Sequence, residues 1–173
     1  MAEHHKIPST LGKAEFLKHF SGVYELSPWV AEQAYNAGLG SSEDHLDGLA
    51  NAFANVVNAQ DKNQLMVLIR NHPDLAGKAA VAGELTDEST SEQSSAGINQ
   101  CTSAEFDSFT RLNKSYKKKF AFPFIMAVRK SNRHEILAAF EQRIHNNPED
   151  EFKRAIAEIH KIARFRLAEL VTQ

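Results

Sequence analysis

His72 is followed by Pro73 in the segment NHPDLAGKAAVAGELTDESTSEQSSAG (71–97), and twenty positions later come Glu92 and Gln93. An imidazole exchanges protons near neutral pH, but as a catalyst it needs a partner that fixes its tautomer and basicity. Glu92 can supply that partner, and Gln93 adds an amide that donates and accepts. A residue preceding proline is driven out of the α region toward an extended conformation. His72 is therefore expected at the end of a helix with its ring facing a cleft, and Glu92 and Gln93 on the first turn of the next helix. Each residue also has a plain structural reading. A His-Pro pair commonly just ends a helix, and a carboxylate near a helix start is favoured by the dipole alone. An arginine such as Arg166 in the last helix can simply be solvated.

Other chemistries find less support. Gly77-Lys78 resembles the end of a phosphate-binding loop, but His72 stands where the first glycine belongs and Ala79 where Ser or Thr is required. Eight histidines invite a metal, yet none form HxxxH, and the lone Cys101 can build neither an internal disulfide nor a thiolate cluster. The lysines at 114–119, with Arg129, Lys130 and Arg133, suit a solvated helix end better than nucleic acid, because the net charge is −2. No membrane is expected either. The N-terminus lacks the apolar core of a signal peptide, and no run reaches the roughly 18 apolar residues of a spanning helix. The chain ends Leu-Val-Thr-Gln rather than Ser-Lys-Leu, so a cytoplasmic location is expected.

The elements that must position these residues are helical. At 173 residues, 42% hydrophobic and 24% charged, the chain is the size and composition of one globular domain, 1–173, with residues 1–10 as a flexible tail. A first helix is expected over about 11–20. A second runs from the Ser27 cap and Pro28 to Ala37, and a third opens with Ser41–Asp44 and carries Leu46, Leu49, Phe53 and Val57 on one face. Asp61 caps a fourth that stops at His72-Pro73. Ala76–Ala82 reads as a short helix ended by Gly83, and Thr86–Ser91 offers caps for the helix bearing Glu92 and Gln93. Thr102 and Glu105 form a capping box for a helix ending in Lys117–Lys119. The apolar run FAFPFIMAV (120–128) has no partner strand and reads as an extended segment. Ser131 starts another helix, and Asn147-Pro148 the last. The expectation is an all-α, compact, single-domain bundle of about eight helices with no sheet.

Five stretches carry more than periodicity: VYELSPWVA, NHPDLAGK, LTDESTSEQSSAG, YKKKFAFPFIMAVR and IHKIARFRLAELV, in that order. Together they closely resemble the OHCU decarboxylase family, which acts on 2-oxo-4-hydroxy-4-carboxy-5-ureidoimidazoline, and the resemblance runs from about Phe20 to Val171. It implies an all-helical, cofactor-free and typically homodimeric protein that yields (S)-allantoin in urate breakdown; the histidine pattern already speaks against a metal. It places the catalytic histidine on His72 and the catalytic glutamate on Glu92. Pro73, Ser89 and Gln93 fall on substrate-pocket positions. The backbone of Phe124, Ile125, Met126, Ala127 and Val128 falls on the segment that hydrogen-bonds the ring and ureido groups. Arg166 matches the family's arginine, with Arg164 as the alternative. The rival expectation is a catalytically silent ligand-binding or interaction domain of the same fold.

Overall fold

The computed structural model describes residues 6–77 and 84–171. Among them the α-helices are α1 (Lys13–Phe20), α2 (Trp29–Ala37), α3 (Leu46–Asn58), α4 (Lys62–Arg70), α5 (Asp87–Ser95), α6 (Ser103–Phe120), α7 (Arg133–Arg143) and α8 (Pro148–Leu167). Short 3-10 turns occupy Pro8–Thr10 and Ile98–Gln100. The described residues contain no strand, only an isolated parallel bridge between Lys6 and Val171, so the expected all-α class with eight helices holds. No described helix is long and apolar enough to cross a membrane.

Local chemistry sets most helix ends. The Asp61 side chain accepts the Gln64 N–H to open α4, and Thr102 with Glu105 forms the expected capping box of α6. Asn147 Oδ1 accepts the Asp150 N–H at the start of α8. α2 closes on Gly38 at φ 96°, a conformation glycine adopts without strain. Some boundaries differ from expectation. Ser27 spends its hydroxyl on the Glu25 carbonyl, and α2 begins one residue after Pro28. Ser41–Asp44 form a turn rather than helix, because Glu43 folds back onto Gly40 N–H and the Ser42 hydroxyl. That turn lies so close to the first turn of α3 that a Cβ on Gly48 would fall 1.9 Å from the Ser42 carbonyl oxygen. α7 starts after Asn132, whose side chain accepts from His134 and Glu135 N–H and outcompetes Ser131 as cap. The Ala-rich helix expected over Ala76–Ala82 lies, apart from the turn at Ala76 and Gly77, outside the described residues. Of the stretch expected to be a loose tail, Lys6 donates to the Leu170 carbonyl, and Ser9 binds Asp44 through both its N–H and its hydroxyl at 2.8 Å.

The chain divides into two compact units, one within Met1–Asn71 and His160–Gln173, the other within His72–Ile159. In the first, α1 packs on α2 and α2 on α3 around Phe16, whose ring centroid is 4.6 Å from Phe20 and 5.2 Å from Tyr35. In the second, the Tyr116 ring meets Phe120, Phe122, Phe124 and Phe140, edge-on to most of them. From Ala121 the apolar run bends at Ala121 and Phe122 and then belongs to no helix or strand through Val128.

Candidate active site

His72 follows the C-cap of α4 directly and is 7% exposed. The turn after it is held from several directions. Gln93 Oε1 accepts the Ala76 N–H at 3.1 Å, and Gln93 Nε2 is 3.5 Å from the Asp74 carbonyl oxygen. Asn113 Nδ2 donates to the Leu75 carbonyl at 2.9 Å, and Lys117 Nζ pairs with Asp74 Oδ2 at 2.6 Å. Ala76 is forced to φ 51°, a left-handed conformation that costs a non-glycine residue energy. At Gly77 a Cβ would lie 2.8 Å from Asp74 Cβ, so the tightness of the turn demands glycine there. Pro73 is half-buried between His72 and this clamp.

Glu92 and Gln93 are on α5 as expected, but in its C-terminal half rather than on its first turn. Thr86 Oγ1 accepts the Ser89 N–H at 3.3 Å and starts the helix early, which puts Asp87 and Glu88 at the dipole-favoured end. The dipole reading of Glu92 therefore lapses. Ser89 and Gln93, four residues apart and each 5% exposed, share the buried face of α5. Glu92 is half-buried on its flank, and its carbonyl accepts the Ala96 N–H and the Ser95 hydroxyl.

The segment Phe124–Val128 points the side chains of Phe124, Ile125 and Val128 into the core, leaving backbone as its chemical offering. Part of that backbone is committed internally. Arg143 Nη1 donates to the Ile125 carbonyl at 2.7 Å, the Ala127 N–H donates to Glu158 Oε2 at 2.9 Å, and Ser131 N–H donates to the Val128 carbonyl. Met126, half-buried between them, has a backbone N–H and C=O that no described residue takes. Phe124 itself is stacked on Phe140 at 3.9 Å, with the Arg143 guanidinium 4.3 Å from its ring centre. Arg143 in turn binds the fully buried Glu151, which also accepts from Tyr116 and Asn146. Burial alone would raise the Glu151 pKa, but the bonds from Arg143, Tyr116 and Asn146 more than offset it and hold the carboxylate below its ordinary range. Burial, reinforced by Glu151, pushes the Tyr116 phenol up.

Arg166 belongs to the other unit. It is 4% exposed, its Nη1 lies 2.9 Å from Glu25 Oε2, and it donates to the Gly22 carbonyl at 3.3 Å. Arg164 is half-exposed and pairs with Asp47 at 2.5 Å. In the same unit Tyr24, His160 and Asn58 form a hydrogen-bonded chain with steps of 2.8 and 3.1 Å. Sequence reasoning singled out none of Glu25, Tyr24, His160 or Asn113. Asn113 left one signal: a polar residue on the apolar stripe Phe109, Leu112, Tyr116.

A cavity of about 530 Å³ in the second unit shares Ala76 and Gln93 with the turn, and is otherwise lined by residues such as Leu85, Ile98, Cys101 and Phe106. Neither His72 nor Glu92 lines it. Its size therefore does not make it the seat of proton transfer, and the convergence of polar groups on the His72 turn is the stronger guide. Burial and the charge of Glu105 raise the Cys101 pKa, against a lowering by Arg133.

Comparison with known proteins bears on the chain as a whole. The family model described as OHCU decarboxylase matches residues 9–168. The chain is 40% identical over 158 residues to the 2-oxo-4-hydroxy-4-carboxy-5-ureidoimidazoline decarboxylase of Halalkalicoccus jeotgali, covering 91% of this chain and 86% of that protein. Its fold is similar to a crystal structure of (S)-allantoin synthase, with TM-score 0.73 and 31% identity. That match covers 95% of this chain but 52% of the other, so this chain spans about half of that one. A crystal structure of an OHCU decarboxylase in the presence of (S)-allantoin matches with TM-score 0.69 and 25% identity, over 92% of this chain and 98% of that one. A family model spanning nearly all of these helices, from the Ser9 turn to the end of α8, leaves one assignment: the chain belongs to the OHCU decarboxylase family.

Proposed function

We propose that this protein is a carboxy-lyase that converts 2-oxo-4-hydroxy-4-carboxy-5-ureidoimidazoline to (S)-allantoin in urate degradation, with His72 as its proton carrier. The observation that carries the reading is a buried imidazole on a turn clamped by three side chains, in a chain that matches the family over residues 9–168. The substrate's carboxylate is attached to a hydroxylated carbon beside an imine. When the carbon–carboxylate bond breaks, the electron pair moves into the adjacent C=N, so the substrate serves as its own electron sink. What the protein must manage is protons. A neutral imidazole takes the hydroxyl proton and, as imidazolium, delivers it to one face of the ring, which sets the hand of the product. The ring nitrogen that received the electron pair takes from solvent the one proton that loss of carbon dioxide consumes.

Glu92 then orients His72 or binds the hydroxyl and ring nitrogen. Pro73, Ser89 and Gln93 line the pocket, and the Phe124–Val128 backbone holds ring and ureido groups, with Met126 best placed to do so. Arg166, held by Glu25, takes an anionic substrate oxygen. The same reading makes the enzyme a cytoplasmic homodimer, which light scattering of the purified protein checks by mass. The activity is tested by circular dichroism of allantoin formed from freshly generated substrate. A fast, one-handed signal that disappears in His72→Asn supports the reading. Turnover by His72→Asn at the native rate removes His72 from the mechanism, and a signal no faster than spontaneous decay leaves a silent binding domain.

A further inference from the structure

We propose that Asn113 of α6 is a positioning residue for His72, acting through the carbonyl of Leu75. The inference rests on the reading of His72 as proton carrier. Asn113 is 6% exposed, and its Nδ2 reaches a carbonyl 38 residues earlier in the chain, at 2.9 Å. Its other amide atom, Oδ1, is buried without a hydrogen-bond partner. The Leu75 carbonyl therefore dictates the orientation of this amide, since the flipped amide would oppose two acceptors. A buried acceptor without a donor is destabilising, and a leucine would complete the apolar stripe without that defect. The one thing leucine cannot do is satisfy the Leu75 carbonyl.

Three consecutive residues of the turn are gripped: the carbonyls of Asp74 and Leu75 and the N–H of Ala76. Only Pro73, with its fixed φ, separates this clamp from His72, so the orientation of the turn is passed to the imidazole's backbone. Among the tethers, Gln93 is already placed in the substrate pocket. The Lys117–Asp74 pair is partly exposed, with side chains 47% and 26% accessible, and such pairs hold weakly. Asn113 is the buried tether outside the proposed pocket.

The test measures kcat and KM of (S)-allantoin formation across the neutral pH range for the native protein, Asn113→Leu, Asn113→Asp and His72→Asn. Loss of the tether misplaces the imidazole, so Asn113→Leu lowers kcat about tenfold to a hundredfold with KM nearly unchanged. Asn113→Asp has the same shape and donates to Leu75 when protonated but not when ionised. Its kcat relative to the native protein therefore falls as pH rises, an ionisation the native enzyme lacks. The titratable and charged groups on the surrounding segments are His72 and Asp74 on the turn, Glu92 on α5 and Lys117 on α6. All are common to both proteins, so the ratio isolates what the new carboxyl changes, its own ionisation and its field on these groups. A flat ratio in folded Asn113→Asp, with His72→Asn inactive, overturns the positioning role alone. Native turnover by His72→Asn overturns the proton-carrier reading and this inference with it. Should Asn113→Leu not fold, the isosteric aspartate variant decides.

Discussion

Gln93 accepts the N–H of Ala76, seventeen residues earlier, and thereby fixes a residue held at φ 51°. Its amide nitrogen stands 3.5 Å from the Asp74 carbonyl, so both ends of the side chain face the turn that follows His72. A glutamine that only recognised substrate would not need this arrangement. Gln93→Leu orphans the Ala76 N–H and is expected to lower stability by about 1–2 kcal/mol, with a fall in kcat. Gln93→Glu keeps the acceptor for Ala76 and is expected to fall between the two. Urea melts with steady-state kinetics separate the cases. A rise in KM with unchanged kcat and stability would assign Gln93 to substrate alone.

Ala121 ends α6 in the left-handed region, at φ 64° and ψ 18°, with its side chain exposed. This is the position where helices favour glycine, because a Cβ is strained there. Ala121→Gly is expected to stabilise the protein by about 0.5–1 kcal/mol without touching turnover. Thermal melts of the two proteins check it.

Arg143 and Glu151 form a buried ion pair that ties α7 and α8 to the Ile125 carbonyl. Removing one partner leaves the other charged, buried and unpaired, so Glu151→Gln is expected to cost about 3–5 kcal/mol. The pH dependence follows from the lowered pKa of Glu151. Its contribution is complete above the ordinary carboxylate value of 4.5 and is lost as pH falls through the lower folded value. Acid unfolding curves of Glu151→Gln should therefore be shallower below that pH than those of the native protein. Curves of equal slope would show that Glu151 does not drive the acid transition.

The helices were legible where a cap and an apolar stripe agreed. Asp61, Thr102 and Asn147 each open a helix as their side chains predict, and Phe109, Leu112 and Tyr116 turn inward. Boundaries slipped where several caps competed, as at Thr86 against the serines after it and Asn132 against Ser131. Buried charge was illegible. The Arg166 partner Glu25 is far away in sequence, and Arg143 and Glu151 sit on two different helices, so no helical spacing marks either pair as counter-ions. At the candidate site, residue types and family motifs marked His72, Glu92 and Gln93. The clamp on the turn was invisible, since Asn113 acts on a backbone atom rather than on a recognisable side chain.

His160 carries the last prediction. Asn58 Oδ1 can only accept, so the proton on the ring belongs to Nε2, and Nδ1 then accepts the hydroxyl proton of Tyr24. Burial disfavours the imidazolium and lowers the His160 pKa below its ordinary 6.5. In the unfolded chain the same histidine takes up a proton near that value. Stability is therefore undiminished above pH 6.5 and declines as pH falls through it, because the unfolded state gains a proton that the folded state refuses; the decline levels off below the folded pKa. His160→Gln cannot titrate and should flatten the melting temperature across this window, at the cost of a lower value near neutral pH. Tyr24→Phe orphans Nδ1, which costs about 1–2 kcal/mol at neutral pH, but it keeps the titrating ring and hence a decline on acidification. Melting temperatures of the three proteins from neutral to mildly acidic pH check the scheme. A slope in His160→Gln equal to that of the native protein would place the acid sensitivity on another histidine.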